Sequence, residues 1–93
     1  MRRGGKSKQA IAQYKRVLQD RERTAGSDHP DTIAAWADLA AAYRSADRLA
    51  EAVQQYQRAL TESERALGPD HPTTQTLRDN LDALTRVWPP RIT

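Results

Sequence analysis

The segments SDHPDT (residues 27–32) and PDHPTT (residues 69–74) are near copies that lie 42 positions apart in a chain of 93 residues. Each contains Asp-His-Pro, followed by a threonine two residues after the proline. Three interpretations are open: a metal site built from the two histidines, a catalytic pair, or one structural unit used twice. The sequence around the motif distinguishes between them.

The similarity extends well beyond the motif. When residues 10–44 are aligned with residues 52–86, 15 of the 35 positions are identical. A fixed period of this length is typical of proteins that stack one small supersecondary unit after another. The doubled motif therefore indicates a structural repeat rather than the two halves of one site.

Apolar residues between the motifs follow the period of an amphipathic helix. In 48–67 they recur every three or four positions, at Leu49, Ala52, Val53, Tyr56, Ala59, Leu60 and Leu67. The strict alternation of a half-buried strand does not occur in the sequence. We therefore predict an all-α fold with about four helices, over 6–25, 31–44, 48–67 and 73–88.

The motif itself is interpreted as helix punctuation. Gly26 and Gly68 are placed to end a helix in a left-handed conformation, and the proline of each copy suits the first turn of the next helix. His29 and His71, or the aspartate before each, are the candidate N-caps. Since no third ligand recurs with the histidines, we predict no metal site.

Composition excludes several function classes. The chain has no cysteine, so thiol catalysis and disulfides are excluded and a reducing, cytoplasmic compartment fits. No apolar run approaches the ~20 residues of a membrane span, and we expect no membrane partner. The net charge of +3 and the segment MRRGGKSK with Lys15 and Arg16 suggest nucleic acid. The segment MRRGGKSK contains no aromatic residue for stacking, so nucleic-acid binding is not expected.

No catalytic constellation is evident, and we predict neither enzymatic activity nor a cofactor. Ser27, Ser45 and Ser63 lack the context of a nucleophile elbow. The stretch RRGGKSK contains Gly-Lys-Ser, but without the strand and glycine spacing of a phosphate-binding loop.

The chain resembles the 42-residue tetratricopeptide repeat of kinesin light chains and of many bacterial regulators. The matching positions are Leu39, Ala40, Tyr43, Arg48, Glu51, Ala52, Tyr56, Arg58, Ala59, Leu60 and the run 67–72. The resemblance implies antiparallel helix pairs stacked as a short solenoid that binds a protein or peptide partner. The turn glycine of the family is absent near Asp47, which predicts a tight or strained turn there.

The resemblance also implies a domain organisation. A half repeat (6–25) precedes a full repeat (31–67) and a capping helix (73–88), between a flexible basic N-terminus (1–5) and an extended Pro-rich tail (89–93). Such an arrangement fits either a fragment of a longer array, as in a larger bacterial regulator, or a module that pairs with another copy.

The first helix is expected to carry an apolar face without a partner, because no helix of the other type precedes it. Family geometry would place that missing partner against Ile11, Tyr14 and Leu18. We therefore expect these residues to form the interface of a two-fold homodimer, with or without exchange of the helix.

The resemblance places a peptide-binding groove on the first helix of each repeat. The implied positions are Ala34, Ala37, Asp38, Ala41 and Arg44, with Thr76, Asp79, Asn80, Ala83 and Arg86 in the next repeat. Asp38 and Asn80 stand where the family often has asparagines that hydrogen-bond the backbone of an extended peptide. An Asp-bearing groove favours a ligand with Lys or Arg nearby. The alternative is that the alanines are good helix formers on a solvated face.

Overall fold

The computed structural model describes residues 4–89, with side chains from Ser7 onward. Its four helices are α1 (Gly4–Ala25), α2 (Pro30–Ser45), α3 (Leu49–Leu67) and α4 (Pro72–Thr85). The rest of 4–89 forms turns and bends, without a strand. The all-α prediction is confirmed, and each predicted helix is present.

Helix α4 ends three residues before the predicted end at residue 88. The prediction ended the helix directly before Pro89, but proline also disfavours the α conformation at the residue before it. The backbone N–H of Trp88 still donates to the carbonyl of Leu84 at 3.0 Å, so the chain leaves the helix through a tight turn. At the other terminus α1 already includes Gly4 and Gly5. The expected flexible terminus (1–5) and tail (89–93) otherwise lie outside the described residues.

Consecutive helices pack against each other: α1 on α2, α2 on α3, and α3 on α4. The connections of three or four residues reverse the chain between them. The molecule measures 36 × 32 × 17 Å, which is the slab expected of a short solenoid. No helix within 4–89 combines the length and apolar character needed to cross a lipid bilayer.

The two copies of the motif form equivalent helix starts. His29 Nδ1 accepts a hydrogen bond from the backbone N–H of Asp31 at 3.0 Å. His71 Nδ1 accepts one from the backbone N–H of Thr73 at 3.1 Å. The histidines, rather than the aspartates before them, are therefore the N-caps.

The glycine before each motif has a positive φ, as predicted. Gly26 has φ +91° and Gly68 has φ +97°. For Gly68 the left-handed prediction is wrong in detail, because its ψ of 156° lies in an extended region that essentially only glycine adopts. A side chain at either position would therefore strain the turn.

The turn between α2 and α3 holds an aspartate where a glycine is usual. Asp47 has φ +63°, its N–H donates to the Arg44 carbonyl, and the N–H of Arg48 donates to the Tyr43 carbonyl. This pair of bonds is a Schellman motif, which favours glycine at the left-handed position. The predicted strain at this turn is confirmed.

The core is built mainly from α2 and α3, with contributions from α1 and α4. Ile33, Ala40, Ala52 and Ala59 are 0 % exposed. Trp36 of α2 is also buried. One polar pair lies inside: the hydroxyls of Ser63 and Thr74 share a hydrogen bond of 2.6 Å that links α3 to α4.

Candidate functional site

Two shallow clefts adjoin along the line where α1 meets α2. The first is lined by Ser7, Ala10, Tyr14, Asp38, Ala41, Ala42 and Ser45. The second is lined by Val17, Arg21, Asp31, Ala34, Ala35 and Asp38. Asp38 belongs to both, so the clefts form one continuous strip with a carboxylate at its middle.

The predicted groove positions of α2 lie at the surface beside this strip. Ala34, Asp38, Ala41 and Arg44 are exposed, and Ala37 is half-buried. Because most of these side chains are methyl groups, they leave room for the side chains of a bound chain.

On α4, the predicted groove residues Thr76, Asp79 and Arg86 are exposed, whereas Asn80 and Ala83 are half-buried. Asn80 is the 42-residue equivalent of Asp38. The two residues differ in exposure, since Asp38 is exposed and Asn80 is half-buried. Both helices nevertheless have a polar side chain at this position.

The electrostatics around Asp38 are set by two neighbours. Burial raises the pKa of the Tyr56 phenol, the positive charge of Arg44 opposes the rise, and the negative charge of Asp38 adds to it. Tyr56, Arg44 and Asp38 therefore meet where the core borders the groove. Among the ion pairs found in residues 7–89, none includes Asp38.

The face of α1 differs from the expectation. Ile11 and Leu18 are only 4 % and 8 % exposed, and they belong to the core of their own chain. Tyr14 is 37 % exposed and Val17 is 41 % exposed. Residues seven apart lie on one stripe of a helix. One stripe therefore faces α2, and the uncovered stripe consists of Ala10, Tyr14 and Val17.

The prediction that Ile11, Tyr14 and Leu18 share one open face is thus wrong for the single chain. A dimer that exchanged α1 would bury Ile11 and Leu18 in the same way. Sequence reasoning missed Val17, although its spacing from Tyr14 and its alignment with Ala59 were a usable signal.

Another cleft lies between α1 and α3, and the rings of Trp36 and Tyr43 form part of its lining. Cationic side chains lie over these two rings. The Arg58 guanidinium lies 4.8 Å from the centre of the Trp36 ring. Arg48 and Lys15 approach the Tyr43 ring at 5.0 Å and 6.0 Å. Such contacts are worth roughly 0.5–1 kcal/mol each at exposed sites, so this cluster stabilises the fold. The sequence did not reveal these pairs, because they join different helices.

The two histidines are engaged as helix caps through Nδ1. Within the described part of the chain, no three His, Cys, Asp or Glu residues lie close enough together to hold a metal ion.

Comparison with known proteins agrees with this geometry. A family model described as Tetratricopeptide repeat matches residues 1–61, which include α1, α2 and most of α3. No curated protein matches the chain.

Proposed function

The chain belongs to the tetratricopeptide-repeat family, and we propose that it binds a peptide segment of a partner protein in the groove beside α2 and α4. Repeats of this family are typically non-catalytic scaffolds for contacts between proteins. The 42-residue period is compatible with the kinesin-light-chain type of repeat.

The observation that carries the proposal is the position of Asp38. This exposed carboxylate lies at the middle of the continuous strip between α1 and α2, and small side chains flank it. A polar group with open space on both sides is suited to hold an extended chain at one point while its side chains enter the flanking clefts.

The chemistry of the strip favours a basic ligand. No described cation pairs with Asp38, so a Lys or Arg of the ligand would meet an available carboxylate. Asn80, on the equivalent position of α4, offers an amide that can both donate to and accept from a peptide backbone. We therefore propose a peptide with a Lys or Arg near the segment that contacts Asn80.

Affinity selection from a random peptide library tests this proposal. We expect the selected peptides to be enriched in Lys and Arg. Asp38→Lys should weaken their binding by at least about tenfold, because two positive charges would then oppose each other. Asp82→Lys is the matched control, since it makes the same charge change at an exposed position of α4 outside the predicted groove.

Thermal unfolding of both variants completes the test. If Asp38→Lys binds the selected peptides as well as the unmodified chain does, the groove is not the binding site. If instead it loses as much stability as a core variant, Asp38 is a structural residue.

Self-association through α1 is the alternative function. The uncovered side chains of Tyr14 and Val17 support it, and exchange of α1 between two copies would keep Ile11 and Leu18 buried. Sedimentation across a dilution series decides the matter: a concentration-dependent dimer supports this alternative, and a stable monomer at micromolar concentration excludes it.

A further inference from the structure

We infer that the open side of α1, together with the adjoining edge of α2, is a seat for one amphipathic helix of a partner protein. The seat consists of Ala10, Tyr14 and Val17 on α1 with Ala34 and Asp38 on α2. These residues also line the strip between α1 and α2 on which the proposed function rests, and the inference differs from that proposal in its occupant, which is a helix whose main contact is with α1.

The internal repeat provides a second copy of this surface, on α3, which is covered by another helix. Ala10, Tyr14 and Val17 align with Ala52, Tyr56 and Ala59 of α3 under the 42-residue shift. These three equivalents on α3 are 0 %, 4 % and 0 % exposed.

These equivalent residues of α3 are buried by α2 rather than by α4. Under the repeat, α4 lies on α3 as α2 lies on α1, and α2 leaves Tyr14 and Val17 exposed. The additional cover on α3 must therefore be the helix that precedes it, and the extensive packing of α2 on α3 agrees. The seat on α1 is thus the place where a helix like α2 would pack.

The side chains of α2 define the chemistry of the occupant. It carries a buried apolar stripe that comprises Ile33, Trp36, Ala40 and Tyr43. The stripe is followed directly by Arg44, whose positive charge lowers the pKa of the Tyr56 phenol. An occupant with a similar stripe and a following Lys or Arg would cover Tyr14 and Val17 and bring a cation towards Asp38.

A second copy of this chain is poorly suited to the seat. Its own exposed helix, α4, has polar residues where α2 has the apolar stripe, namely Gln75, Arg78, Asp82 and Thr85. Two α1 helices placed face to face would repel each other, because each carries six basic and two acidic residues. A helix from a different protein avoids both problems.

Two synthetic peptides test the inference on the full chain. The first has the α2 sequence, residues 29–47, and the second has the α4 sequence, residues 71–87. Each is labelled with a fluorophore and titrated with the protein, and binding is read from fluorescence anisotropy. We expect the α2 peptide to bind and the α4 peptide not to bind over the same concentration range.

A pair of lysine variants shows whether binding occurs at the seat. Val17→Lys should weaken binding of the α2 peptide by at least about tenfold, because it places a charge under the apolar stripe. Ala12→Lys makes the same kind of change at an exposed position on another side of α1 and should leave binding unchanged. Both positions are solvent-exposed in the folded chain, so both variants should fold.

Three results would overturn the inference. The two peptides could bind equally well, which would indicate non-specific adhesion. Val17→Lys could bind the α2 peptide normally, which would place binding elsewhere, for example by displacement of α2 itself. The chain could form a dimer that Val17→Lys dissociates, which would make a second copy the occupant. Val17 also lines the second cleft of the extended-peptide groove, so the two proposals are separated by their ligands: if the selected basic peptides bind and the α2 peptide does not, the seat is wrong and the groove is not.

Discussion

Helices α1 and α3 have nearly the same pattern of residues but very different surroundings. Tyr14 is 37 % exposed, whereas its equivalent Tyr56 is 4 % exposed. Helix α3 is packed on both α2 and α4, while α1 is packed on α2. The difference shows that, in a repeat protein, the burial of a residue depends on the neighbouring repeat as much as on its own helix.

The two helices are nevertheless not interchangeable. Where α3 has Ser63, buried in its hydrogen bond with Thr74, α1 has the exposed Arg21. Where α3 has the buried Ala59, α1 has the larger Val17. Small residues thus mark the helix that is covered on two sides, because its neighbours approach closely there.

The largest expected effect concerns the tyrosine pair. Tyr56→Ala should cost roughly 3–5 kcal/mol of unfolding free energy, because it leaves a cavity in the core. Tyr14→Ala should cost less than about 1 kcal/mol, because its ring already lies partly in water. Urea unfolding followed by circular dichroism measures both values. Equal losses would mean that α1 is covered on both sides in solution.

The second comparison changes the side-chain volume at the equivalent residues Val17 and Ala59. Ala59→Val should cost roughly 1–3 kcal/mol, since a fully buried alanine leaves no space for two more methyl groups. Val17→Ala should change the stability by no more than about 0.5 kcal/mol. Thermal unfolding separates the two outcomes, and a well-tolerated valine at 59 would show that the packing of α3 is loose.

The contrast between the two halves of the molecule should not extend to the histidine caps. His29→Ala and His71→Ala should each cost about 1 kcal/mol, because each leaves one backbone N–H at a helix start without its acceptor. The two costs should be similar, since the capping distances are 3.0 Å and 3.1 Å. Asn at either position should restore most of the stability, which a loss caused by packing would not allow.

The smallest effect is a gain in stability. Asp47→Gly should stabilise the fold by roughly 0.5 kcal/mol, because glycine adopts a positive φ without the steric cost that aspartate bears. Asp47→Ala is the control and should destabilise the fold, since alanine has the cost without the polar side chain. A loss of stability in the glycine variant would show that the Asp47 side chain makes a compensating contact.

Much of the fold could be predicted because its signals are local. Apolar spacing located the helices, and the glycine and proline of each motif located their ends. The end of α4 was missed by three residues, since the prediction continued the helix to the residue directly before Pro89, whereas the chain leaves it earlier through a tight turn. The sequence did not decide between Asp28 and His29 as the N-cap, because either residue could have adopted the backbone geometry of a cap.

The candidate site was less predictable. The groove positions followed from the resemblance, and four of the five on α2 are exposed, which fits both a groove and a solvated face. The open face of α1 was assigned to Ile11, Tyr14 and Leu18, whereas the structure leaves Tyr14 and Val17 exposed. Apolar spacing identifies residues that avoid water, but it does not say which neighbouring helix covers each of them.

The amino-acid sequence by itself determined the presence of four helices, because hydrogen bonds and steric limits within a few residues set them, and the 42-residue repeat is read directly from it. Only the tertiary structure decided that Tyr56 lies in the core while Tyr14 remains partly in water. The physical reason is that a helix in a solenoid buries its apolar surface against adjacent helices. Two similar stripes therefore have different exposures when one helix has two neighbours and the other has one.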